Sequence, residues 1–176
     1  SENGFHEITG RFADLLVVHA PAADAAGVID LLDWTERANL VHFGYGVKSF
    51  TLSMIETAAA LLPEGVPAPL VRDIVALGKE LLARPVDLIE GVAEVVPELA
   101  ARYRLLLITK GDLLHQERKV AESGLAPHFE EIEVVSEKDE ATYARILHEH
   151  GVRPEAFVMV GNSIKSDVLP VVGIGG

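Results

Sequence analysis

The chain has 176 residues, 49% of them hydrophobic and 24% charged, which is apolar material enough for one core, or for a core with a small satellite domain. A net charge of −12 argues against nucleic acid and anionic membrane as partners, because both are held by clustered Lys and Arg. With no Cys there is neither a disulfide framework nor a thiolate metal site, and no apolar run approaches the ~20 residues of a membrane span, so a cytoplasmic location is expected.

Residues 5–84 read as helical. Leu52, Ile55, Ala59 and Leu62 recur at helical spacing, and Leu70, Ile74, Leu77 and Leu81 do so further on. Phe43-Gly44-Tyr45-Gly46 and Pro63-Glu64-Gly65-Val66-Pro67 interrupt the pattern with residues that permit turns. Trp34 and Phe50 are expected in the core of this helical unit. Near Arg84-Pro85 the rhythm changes, which divides the chain into an all-helical part, 1–84, and an alternating part, 85–176.

The second part opens with a helix over 92–102 that Pro97 shortens or kinks. Short apolar runs at 104–109, 132–135 and 156–160 suit strands buried on both faces of a parallel sheet. Between them, helices over 113–123 and 141–150 close on Gly124 and Gly151, the residue type that most easily adopts a left-handed cap. This βαβα order predicts a three-layer, Rossmann-like α/β fold with ligands bound beyond the carboxyl ends of its strands.

Each expected strand end carries chemistry. The first runs into Thr109-Lys110-Gly111-Asp112, a hydroxyl followed by backbone N–H groups at a helix start, which suits a phosphate. The second leads to Lys138 just before a helix, a charge able to neutralise a reacting anion. The third gives Gly161-Asn162-Ser163-Ile164-Lys165-Ser166-Asp167, an amide and a carboxylate spaced so that both can reach one hard cation. Singly, Thr109 is also a β-favouring residue, Lys138 a solvated lysine and Asp167 a helix cap. In order, at successive ends of one sheet, the three converge on one crevice. The histidines are scattered and form no metal or triad set.

The second half resembles the haloacid dehalogenase-like (HAD) superfamily. A strand ending in Thr109 matches its second motif, Lys138 its third, and Gly161 to Asp167 its fourth, with Asn162 where an acid is usual. The helical first half lies where that family inserts a cap. The resemblance implies an HAD core with an inserted all-helical cap, acting as a Mg²⁺-dependent phosphatase on a small phosphomonoester through an aspartyl phosphate. Thr109 and Lys138 would be catalytic, and Thr109, Lys110, Gly111 and Lys48 of the cap would contact substrate. Asp167 and Asn162 would hold the metal, with Gly161 and Ser163 supporting the loop. A monomer or homodimer is expected.

The family's first motif, Asp-x-Asp-x-Thr, is absent from these residues. In such a fold its strand lies between those ending at Thr109 and Val160, and omitting it would leave two unpaired edges in the sheet. The chain opens on Ser1-Glu2-Asn3-Gly4 and stops at Gly173-Ile174-Gly175-Gly176, as a segment cut at both ends would. An upstream strand with the nucleophile is therefore expected before Ser1, and a further strand after Gly176. Two rivals follow from the same pattern: a 2-haloacid dehalogenase, which uses no metal, and a non-catalytic HAD-fold binding protein. A nucleotide-binding dehydrogenase fails for want of Gly-x-Gly-x-x-Gly after a strand.

Overall fold

Four helices in succession form the helical part: α1 (Glu2–His19), α2 (Ala25–Phe43), α3 (Val47–Leu61) and α4 (Ala68–Ala83). These come from a computed structural model that describes residues 2–176, with side chains described from residue 4. Helix α2 starts where Asp24, in extended conformation, accepts the Gly27 N–H at 2.7 Å, and it stops at Gly44, whose φ is 66°. Helix α4 begins after Pro67 and buries Leu70, Ile74, Leu77 and Leu81, the face expected from their spacing.

The face of α3 differs from expectation. Leu52 and Ala59 are exposed, while Phe50, Ser53, Met54, Thr57 and Ala58 are buried. Small hydroxyl residues beside Val47, Phe50 and Met54 let α3 lie close to its neighbours α2 and α4. A Cβ at Gly78 of α4 would overlap the Thr51 hydroxyl, a measure of how near those two helices come. Phe50 meets Phe5 edge to face, ring centroids 5.2 Å apart, as a core residue should. Trp34 does not: it is 68% exposed, because α2 turns Val28, Leu32, Thr35 and Asn39 inward and leaves position 34 outside that stripe.

Contacts divide the chain into two units. The first runs to Glu90 and takes in Gly111–Gly124; the second comprises Gly91–Lys110 and Leu125–Gly176. Helix α6 (Leu113–Glu122) thus belongs to the first. In the second, α5 (Val92–Ala100) contains Pro97 and precedes β1 (Leu106–Lys110). Strand β2 (Glu131–Val135) pairs with β1 in parallel, from Leu106 opposite Glu131 to Lys110 opposite Val135. Helices α7 (Glu140–Glu149) and α8 (Leu169–Gly173) complete this unit. Ile108, Val135, Tyr143, Ile146 and Val171 form its core.

The strand expected at 156–160 is not one. Pro154–Ala156 is a 3₁₀ turn, and residues 157–160 make no ladder, since among the described residues β1 and β2 pair only with each other. The side chains nonetheless alternate. Phe157 and Met159 pack against the core, while Val158 and Val160 are 82% and 87% exposed. Period-two alternation is what an extended segment produces; a strand also needs a hydrogen-bonded neighbour, and the described residues supply none. No helix among the described residues is long and apolar enough to cross a membrane.

Candidate active site

Parallel pairing brings two of the expected groups to one edge. Because Lys110 lies opposite Val135, the carboxyl ends of β1 and β2 are level, and Thr109 and Lys110 stand beside the segment Ser136-Glu137-Lys138 that leaves β2. Lys110 Nζ lies 3.2 Å from the Glu137 carboxylate across that edge. The Thr109 hydroxyl is half-buried, 3.4 Å from the Lys110 carbonyl oxygen. Immediately after Lys138, Asp139 accepts the Thr142 N–H at 2.8 Å and so starts α7. Those hydrogen bonds hold the Asp139 carboxyl below its usual range, an anion well placed at a helix N-terminus.

Lys138 and Asp167 form the centre of the site. Lys138 Nζ donates to Asp167 Oδ1 at 2.7 Å, and their side chains are 13% and 5% exposed. The Ser163 backbone N–H donates to Asp167 Oδ2 at 2.9 Å. Ser163 also supports the loop through its hydroxyl, which accepts the Ser166 N–H at 3.2 Å and opens the wide helical turn Ile164–Val168. Gly161 is required here, because a Cβ on it would overlap the Asp167 carboxylate. Burial by itself would raise the Asp167 carboxyl. The hydrogen bonds from Lys138 and Ser163, with the fields of Lys138 and Lys110, outweigh it and hold the group below the usual carboxylate range.

Tyr143, on the first turns of α7, is a site residue the sequence pattern did not single out. It is fully buried, and its hydroxyl donates to the Ser166 carbonyl at 3.0 Å. Burial, helped by the nearby Asp167 charge, pushes its phenol up to about 12, so it is a neutral donor. A Tyr five residues past Lys138, on the apolar face of a helix, gives no local sign of that role.

The other expected residues sit differently. Asn162 is exposed and makes no hydrogen bond to a described residue. Lys48 and Gly111 belong to the first unit, where Lys48 meets Asp112: its N–H donates to Asp112 Oδ2 at 3.3 Å and its Nζ lies 3.5 Å from Oδ1. Gly111 has a φ of 130°, a left-handed conformation that favours glycine.

A magnesium ion finds little to hold it in these residues alone. Asp167 is the one buried carboxylate of the second unit, both its oxygens are engaged, and Asn162 would add a single neutral oxygen. Among the described residues no three His, Asp or Glu gather as a metal site. Lys138, Asp167, Gly161 and Ser163 as placed form one close-packed, hydrogen-bonded cluster.

The chain belongs to the haloacid dehalogenase-like hydrolase family, whose model matches residues 7–172. A haloacid dehalogenase-like family hydrolase from Xanthomonas campestris is 46% identical and superposes with a TM-score of 0.90, over 100% of this chain and 73% of that one. A structure described as a predicted phosphoglycolate phosphatase, from Haemophilus somnus, shares the fold at 17% identity and a TM-score of 0.58, over 83% of this chain and 75% of its own. The N-acylneuraminate-9-phosphatase of Rattus norvegicus is 32% identical over 97 residues. That match takes in 52% of this chain and 39% of the rat protein.

Proposed function

We propose that this chain is part of a phosphatase acting on a small phosphomonoester, with the helical residues 1–84 as its cap and residues 85–176 as its core. The observation that carries the reading is the buried Lys138 ammonium, tied to Asp167 beside the strand end that bears Thr109. An ammonium fixed in a poorly solvated place is worth more to a transferring phosphoryl group than one free in water, because it need not reorganise as charge develops. The likeness to an enzyme named as a phosphatase supports the same reaction class.

In this reading Thr109 donates to a phosphoryl oxygen, the backbone N–H groups of Lys110 and Gly111 assist, and Lys48 meets the substrate from the cap. Lys138 neutralises the phosphoryl oxygens and orients the attacking carboxylate. That carboxylate is the aspartate expected upstream of Ser1, and the covalent product of its attack is an aspartyl phosphate that water then cleaves. Magnesium enters the proposal as a further expectation: Asp167 and Asn162 would contribute oxygens, with substrate and water completing the shell. None of the roles given to Thr109, Lys138 or the backbone depends on it.

The test is release of inorganic phosphate from a panel of phosphomonoesters by the full-length protein, with and without added magnesium. Activity that falls by ~10²-fold or more in Lys138→Ala is expected, the usual cost of losing one preorganised electrostatic group. No phosphate from any member of the panel would overturn the proposal.

A further inference from the structure

Asp112 stands at the N-cap position of α6, yet its side chain makes no capping bond to that helix. Asp is among the residues most favoured for that duty, so a carboxylate that forgoes it is engaged elsewhere. Here it turns to α3, where it accepts the Lys48 N–H at 3.3 Å and pairs with the Lys48 ammonium at 3.5 Å. Helix α3 has Gly46 at its own N-cap and no side-chain cap of its own, so the carboxylate from 64 residues away supplies what the local sequence lacks.

The fit is close. A Cβ on Gly46 would come within 2.5 Å of Asp112 Oδ2 and within 3.0 Å of the Asp112 backbone nitrogen, so only glycine leaves room for this approach. Gly46 also has a φ of 135°. The Asp112 side chain is 16% exposed, whereas that of Lys48 is 64% exposed. The lysine is therefore held at its backbone N–H and at its ammonium while most of its surface is open to solvent. Asp112 directly follows Gly111, so one residue joins the two groups of the first unit that were given to substrate binding.

We infer that Asp112 is a positioning residue: it fixes the Lys48 side chain and the Gly111 backbone relative to each other. This rests on the phosphatase reading for what Lys48 and Gly111 bind, but not for the clamp itself. Two anion-binding groups held at a set separation need not be ordered when the substrate arrives, and that lowers the cost of binding. The expected loss on cutting the clamp is therefore in substrate affinity rather than in the chemical step.

The experiment compares Asp112→Ala, Asp112→Asn and Gly46→Ala in the full-length protein. Two quantities are read on the folded fraction: kcat and KM for p-nitrophenyl phosphate, and amide hydrogen exchange at Lys48 and Gly111. Asp112→Ala should raise KM by ~10-fold with kcat within ~3-fold of wild type, and should speed exchange at both amides. Asp112→Asn keeps an acceptor for the Lys48 N–H and should recover most of that affinity. Gly46→Ala displaces the carboxylate without altering it and should reproduce the alanine result, which decides the matter if Asp112→Ala does not fold. Unchanged KM and unchanged exchange in these variants, with activity falling only as folded protein is lost, would overturn the inference. Wild-type protein inactive on every phosphomonoester would instead defeat the proposed function, and the exchange comparison would still decide the role of Asp112.

Discussion

Replacing Lys138 by Met keeps most of the side-chain volume and removes the ammonium that lies 2.7 Å from Asp167 Oδ1. Asp167 is only 3% exposed and would keep just the Ser163 N–H. Breaking a buried pair by removing one partner leaves an uncompensated charge, at a cost of ~3 kcal/mol or more. The effect has a direction in pH. In the wild type the Asp167 carboxyl is held low, so its contribution is present above the unfolded carboxyl value and is lost as pH falls through the folded one. In the variant burial governs and pushes the carboxyl up, so the folded state is penalised at neutral pH and relieved as Asp167 takes a proton. Down to about pH 5 the wild type keeps its Asp167 contribution, so it is the relief of the variant that narrows the gap between the two proteins as pH falls. Urea unfolding at about pH 7.5 and about pH 5 measures it. A difference below ~1 kcal/mol at the higher pH, or one that does not shrink at the lower pH, would refute the reasoning.

Two further substitutions probe different parts of the molecule. Gly161→Ala should displace the Asp167 carboxylate, whose position a Cβ would overlap, and lower phosphate release by at least ~10-fold; wild-type activity would show that the loop shifts freely. Thr57→Val should stabilise the helical unit by ~1 kcal/mol in thermal or urea unfolding, because the Thr57 hydroxyl is fully buried without a partner among the described residues, and a loss of stability would mean that it has one.

Where local pattern and tertiary environment agree, the sequence was legible. Leu70, Ile74, Leu77 and Leu81 show their face because all are large and apolar, and Gly124 and Gly151 mark helix ends because a left-handed cap favours glycine. Helix α3 is less legible because its buried face mixes Val47, Phe50 and Met54 with the small Ser49, Ser53, Thr57 and Ala58, while Leu52 faces water. That Lys138 and Asp167 share one crevice could be read from the order of motifs, but not their direct ion pair. Asp112 could not be found this way. Its partner lies 64 residues away on another helix, and in the sequence it looks like the cap of the helix it precedes.

Side-chain contacts within the second unit hold the loop that carries Asp167, and this bears on how the site is kept in order. Residues 161–167 are held by a set of side-chain contacts: Phe157 and Met159 packed on the core, the Ser163 hydroxyl on the Ser166 N–H, Tyr143 on the Ser166 carbonyl, and Lys138 on Asp167. Three of these are polar and lie within one turn of each other, so loss of any one weakens the geometry that the others need. They also respond unequally to pH. Tyr143 stays a neutral donor throughout the neutral range, whereas the Lys138 tie lasts only while Asp167 is ionised. Acid should therefore loosen this loop before it disturbs the β1 and β2 ladder, whose backbone bonds carry no titrating group.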